Sequence, residues 1–165
     1  MGARFRDRRD AGRRLAAYLA GYAGRPNLLV LALPRGGVPV AFEIAQALGA
    51  PLDVFIVRKL GLPGHEEFAI GAIASGGVHF VNADTLRDYG ITREQVAEVI
   101  AAEERELDRR EHRYRGDRPF PNVEGRTVIL VDDGLATGST MRAAVAALRQ
   151  ERPAHIIVAV PTAPP

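Results

Sequence analysis

Four short, mainly apolar runs, Leu28–Leu33, Leu52–Val57, Thr127–Val131 and His155–Val160, constrain this chain more than any other feature. A strand buried on both faces has no polar side to show, so it reads as a near-continuous apolar stretch rather than an alternation. A helical pattern separates the members of each pair. Val38 to Leu48 has helical spacing, with Pro39 in a first turn where a missing N–H is harmless and Gly49 as a stop. Ser139 to Gln150 plays the same part between the second pair. Each strand–helix–strand unit is about 30 residues long, the usual size of that motif. The alternation predicts an α/β fold: a largely parallel twisted sheet of about five strands, flanked by helices and joined by right-handed crossovers. Ligands of such sheets sit beyond the carboxyl ends of the strands, near the point where strand order reverses. The loops after Leu33 and Val131 are therefore the ones to inspect.

The rest of the chain fits around these units. Leu15, Tyr18, Leu19 and Tyr22 form a helical stripe within residues 7–22, ended by Gly24-Arg25-Pro26-Asn27. Phe68–Ala74 and Val78–Val81 read as short strands around Ser75-Gly76-Gly77, a hairpin within a small hood-like region of about 58–90. Thr92-x-x-Gln95 is a capping box that opens a helix running to about Arg115. Its first half carries Val96, Val99 and Ile100. From Glu103 it is almost entirely charged, with Glu106–Arg110 and Glu111–Arg115 four residues apart, the pattern of a half-helix that projects into solvent or moves. A turn-rich linker, Arg118–Gly125, leads to the second unit. Length alone favours one domain over residues 1–165.

Composition removes several function classes. There is no cysteine, hence no disulfide framework, thiolate zinc site or cysteine nucleophile. His65, His79, His112 and His155 lack metal-ligand spacing. Basic residues number 22 and acidic residues 20, for a net charge of +2. The pI of 9.4 reflects a basic complement that is all arginine except Lys59, which argues against nucleic acid as the default partner. No apolar run reaches the roughly 18 residues of a membrane span. The Arg-rich segment Met1–Arg14 is interleaved with Asp7 and Asp10 and followed by no signal-peptide core, so a cytoplasmic location without membrane partners is expected.

The chemistry concentrates after the third apolar run, in Val128-Ile129-Leu130-Val131-Asp132-Asp133-Gly134-Leu135-Ala136-Thr137-Gly138-Ser139-Thr140. Two adjacent carboxylates end a buried strand, and a turn of small and hydroxylated residues then enters a helix. Small residues let backbone N–H groups approach an anion, and the helix dipole adds about half a positive charge there. A phosphate fits this cradle. The carboxylates would repel it, so they suit donors elsewhere on the same ligand, and vicinal sugar hydroxyls are the obvious ones. A Walker-type loop is excluded because no lysine precedes Ser139 or Thr140.

This 13-residue stretch resembles the phosphoribosyl-pyrophosphate (PRPP) motif of the type I phosphoribosyltransferases. The resemblance implies that Asp132 and Asp133 take the ribose hydroxyls, while Gly134, Ala136, Thr137, Gly138, Ser139 and Thr140 surround the 5-phosphate. Leu33-Pro34-Arg35-Gly36-Gly37 is similar to the family's pyrophosphate loop, with Gly36 and Gly37 exposing amides and Arg35 offering a forked donor. Taken alone, that stretch reads equally as a turn. Arg58-Lys59-Leu60-Gly61-Leu62-Pro63-Gly64 looks like the basic segment by which adenine phosphoribosyltransferases meet the pyrophosphate. Glu66 and Glu67 follow, where relatives place an acid near the sugar, although the pair reads equally as solvated charge. Glu103–Arg115 falls where the family carries its mobile catalytic loop, so the resemblance implies a lid there as the alternative to a solvated face.

The resemblance implies Mg2+-dependent transfer of the 5-phosphoribosyl group from PRPP to a nitrogenous base or amine, with release of pyrophosphate. Magnesium would enter bound through PRPP, with no residue of the chain assigned as a metal ligand. Asp132, Asp133, Arg58 and Lys59 are the candidate catalytic residues. A homodimer in nucleotide metabolism is the implied setting. The alternative is a non-catalytic PRPP- or nucleotide-sensing regulator or binding protein on the same fold. Family members usually continue past a strand such as His155–Val160 into a segment that recognises the acceptor, so part of the base-binding hood is expected to be missing here.

Overall fold

The structure, a computed structural model, describes residues 4–164. The four apolar runs supply β1 (Leu28–Ala32), β2 (Leu52–Val54), β6 (Thr127–Val131) and β7 (His155–Ala159). They pair in parallel in the order β2-β1-β6-β7, so the parallel sheet has four strands. The remaining strands, β3 (Val57–Leu62), β4 (His65–Ala74) and β5 (Val78–Val81), form a separate antiparallel sheet in the expected hood region.

Alternation along β1 and β6 divides the core into two layers. Leu28, Val30, Ala32, Ile129 and Val131 face α2 (Gly37–Leu48), where Val40, Ile44 and Leu48 meet them, with α1 (Arg8–Tyr18) outside. Leu29, Leu31, Val128 and Leu130 face α5 (Ser139–Gln150) through Ala144, Ala147 and Leu148. Burial of one such Leu or Ile is worth about 1.5–3 kcal/mol. A third cluster joins Leu60, Leu62, Ile70 and Ile73 of the hood sheet to Leu107, Val96, Val99 and Ile100 of α4 (Arg93–Arg115). The capping box is present: Thr92 Oγ1 accepts from the Gln95 amide at 3.1 Å, and Gln95 Oε1 accepts from the Thr92 amide at 2.9 Å.

Two expectations need correction. Leu52–Val57 is not one strand. The Phe55 amide donates to Ala32 O at 2.9 Å, but the next residue on that side of the ladder, past the end of β1, is Pro34, which has no N–H to donate, and the Ile56 amide donates instead to Ser75 Oγ at 2.9 Å. With its ladder partner gone, the chain leaves for the hood sheet. Nor does the charged half of α4 project freely. Leu107 is buried, and the Arg115 side chain is only 2% exposed, 3.1 Å from Asp53 and 2.9 Å from Glu111, with its Nη1 donating to Val54 O at 3.0 Å. The Arg115 guanidinium also lies 5.2 Å from the centre of the Phe120 ring, which packs on Phe55. A short helix unforeseen from the sequence, α3 (Ala83–Asp88), is capped by Asn82, whose side chain accepts from the Thr85 amide.

Candidate functional site

From the centre of the parallel sheet the crossovers diverge: β1 connects through α2 to β2 on one side, and β6 through α5 to β7 on the other. The crevice at a strand-order reversal is where α/β sheets bind ligands. Ala32 is level with Val131, so the two expected loops leave the sheet side by side. They touch. A Cβ on Gly37 would lie 2.6 Å from Val131 O, and one on Gly36 would collide with the Asp133 carboxylate. Only glycine at these positions lets the Pro34–Gly37 loop lie this close to the end of β6.

The β6–α5 loop has the form of an anion cradle. Gly138 sits at φ 76° and caps α5 without a side chain. Thr137 Oγ1 accepts from the Ser139 amide and donates to Ser139 Oγ, both at 3.2 Å, while Arg142 Nη2 donates to Thr137 O at 3.0 Å. These bonds hold the hydroxyls of Thr137 and Ser139 at the start of a 12-residue helix, where the dipole favours an anion. Gly134 and Leu135 rest on the chain after β7, the Leu135 amide donating to Thr162 O at 3.0 Å. Ala136 and Thr140 are exposed on either side of the turn.

Arg58 and Lys59 come from a different sheet. Strand alternation along β3 sends them to opposite faces. Lys59 Nζ donates to Ser139 Oγ at 2.6 Å, bringing the single lysine to the cradle. Arg58 Nε instead donates to Glu103 Oε2 of α4 at 2.5 Å. Glu67 shares a groove of about 500 Å³ with Lys59 and Ser139. Arg35 is exposed on the other side of the crevice, at a cleft of about 480 Å³ that also reaches Thr140.

The two acids have different surroundings. Burial pushes the Asp132 carboxyl above its usual value, partly offset by a hydrogen bond from the Asp133 amide at 2.8 Å and reinforced by the neighbouring Asp133 charge. Asp133 is instead met by Arg8 of α1, whose Nε and Nη2 both donate to Asp133 Oδ2 at 3.0 and 2.9 Å. Nothing local in the sequence signals this contact, because Arg8 lies 125 residues away. The arginines of α4 that reach the cleft, Arg109, Arg110 and Arg113, were likewise hidden in what reads as a solvated face.

This fold and crevice define a parallel α/β protein with an anion-cradle loop at its switch point, and sequence comparison narrows the class. The Phosphoribosyl transferase domain model matches residues 6–165, and the chain belongs to that family. It is 46% identical over 160 residues to a Mycobacterium tuberculosis protein provisionally named a phosphoribosyl transferase, covering 97% of this chain and 36% of that one. The chain thus spans about a third of the length of that relative. A crystal structure of the Thermus thermophilus protein TT1426 superposes with a TM-score of 0.84 at 46% identity, covering 98% of this chain and 76% of the other. The Bifunctional protein PyrR of Chloroflexus aurantiacus is 35% identical over 136 residues, covering 76% of this chain and 65% of its own.

Proposed function

We propose that this chain is a phosphoribosyltransferase domain that moves the 5-phosphoribosyl group of PRPP to a nitrogenous base or amine and releases pyrophosphate. The observation that carries the reading is the contact of two loops at the sheet's switch point: a hydroxyl-lined helix entrance preceded by two acids, and a glycine loop bearing Arg35. In this reading the 5-phosphate lies on the amides and hydroxyls of Ala136–Thr140, with the Lys59 ammonium beside it. Asp132 and Asp133 accept from the ribose hydroxyls and fix the ring. Arg35 and the amides of Gly36 and Gly37 hold the pyrophosphate, joined by Arg58 once it exchanges Glu103 for the ligand.

Displacement at the anomeric carbon passes through an oxocarbenium-like state, with positive charge growing on the ring and negative charge on the leaving group. No covalent nucleophile is needed; positioning and preorganised donors supply the stabilisation. Among the described residues no group of three or more His, Cys, Asp or Glu is placed to hold a metal ion. Hard carboxylate oxygens suit a magnesium ion carried in mainly on substrate phosphates, and Asp132 and Asp133 at the end of β6 are the acids that would be available to it. The chemistry such an ion would supply is neutralisation of the negative charge on the substrate's phosphates. Residues 58–90 serve as the hood, α4 closes one side, and the chain works as one domain in a cytoplasmic homodimer.

The test is incubation of the protein with Mg2+, PRPP and a panel of purines, pyrimidines and other amines, read as pyrophosphate release. Release with one acceptor supports transfer and names the acceptor. Saturable PRPP binding without release across the panel assigns the chain to the sensing alternative. No PRPP binding refutes both.

A further inference from the structure

We infer that the flank of α4 bearing Arg109, Arg110 and Arg113 is a diphosphate-binding wall facing Arg35. The inference deepens the transferase reading and rests on it for the ligand's placement. The 480 Å³ cleft lies between the last turns of α4, the Pro34-Arg35 peptide and a floor made by Phe55, Ile56 and Val57. Four arginines, Arg35, Arg109, Arg110 and Arg113, line it. No acid lines it among the described residues, and Glu106 beside it is shared by Arg109 at 2.6 Å and Arg110 at 3.0 Å. Neither Arg35 nor Arg113 has an acidic partner within 4.0 Å among the described residues.

Arg109 and Arg113 stand four residues apart on one helix, and Arg110 and Arg113 three apart, spacings at which like charges repel. That repulsion is relieved by an anion able to span several forks, and a diphosphate has enough oxygens to do so. Rigidity supports the assignment: Leu107 before the row and Arg115 after it are both buried. The diphosphate has two chemical sources, the pyrophosphate end of PRPP or a nucleoside diphosphate.

Isothermal titration of inorganic pyrophosphate, ribose 5-phosphate and ADP into the wild type, Arg110→Gln/Arg113→Gln and the exposed-face control Arg105→Gln separates these cases. Both mutated arginines are exposed, so melting curves should stay within a few degrees of wild type. Pyrophosphate affinity is expected to fall at least tenfold in the double variant, with ribose 5-phosphate unchanged within twofold. Pyrophosphate binding within twofold of the Arg105→Gln control, or none in the wild type, overturns the wall. Weakened pyrophosphate binding in a protein that never binds ribose 5-phosphate keeps the wall and removes the transferase reading. ADP binding weakened in parallel adds a nucleotide as a source; no ADP binding leaves the substrate's own diphosphate.

Discussion

Replacing Arg115 by Met should destabilise the protein by about 3 kcal/mol, near the lower end of the 3–5 kcal/mol for breaking a buried ion pair. The lower end follows from the partners. The Arg115 side chain is 2% exposed, but Asp53 and Glu111 retain 14% and 23%, so water can partly resolvate the two carboxylates left behind. Moreover, Arg115 Nη2 and Glu111 Oε1 are close but misaligned for a hydrogen bond, making that contact mainly Coulombic. The bond to Val54 O is lost as well, leaving a carbonyl at the end of β2 unpaired. For a domain of this size 1 kcal/mol shifts the melting temperature by about 2–4 °C, so a fall of about 6–12 °C is expected by circular dichroism. Urea titration should show a lower midpoint, and Asp53→Asn in the Arg115→Met background should recover part of the loss by removing one stranded charge. A fall under about 2 °C would place this pair among surface bridges worth at most about 1 kcal/mol and refute the claim that it pins α4.

Asp132→Asn should raise the melting temperature at pH 7 while abolishing ribose 5-phosphate binding. Burial raises the Asp132 pKa, so the folded state holds this proton more tightly and loses stability as pH rises from the usual carboxylate value through the raised one. At about pH 3 the gain should vanish, and a variant no more stable than wild type at pH 7 would contradict the assigned cause. Arg8→Ala should tighten ribose 5-phosphate binding a few-fold in calorimetry, since Arg8 competes for Asp133, and should change stability by less than about 1 kcal/mol; weaker binding would make Arg8 a ligand contact. Hydrogen bonds from Arg109, then Arg110, hold the Glu106 carboxyl down at about 2 from an ordinary 4.5. Its contribution to stability is therefore present above about pH 4.5 and lost as pH falls toward 2. Carbon-detected NMR titration should place its midpoint near 2, and a midpoint near 4.5 would show that the arginines do not hold it.

Chain order and local chemistry made much of this protein legible before any coordinates. A strand covered on both faces cannot carry polar residues, so β1 and β6 announce themselves, and their crossovers place the switch point between them. The capping box at Thr92 and the small-residue turn at Gly138 are equally local, since each is satisfied within a few residues. Contacts across long separations were not legible. Arg115 reads as one more charge on a solvated helix until Asp53, 62 residues earlier, is folded beside it.

By itself, then, the order of residues determined the parallel α/β plan and the two loops that meet at its centre, because burial and hydrogen bonding within short segments leave few other arrangements. Tertiary structure alone decided that the chain breaks from the sheet after Val54, that α4 is tethered, and that Arg8 lies on Asp133 and Lys59 on Ser139. The reason is that a charged side chain has many interchangeable partners in sequence, and only packing selects which of them lies within reach.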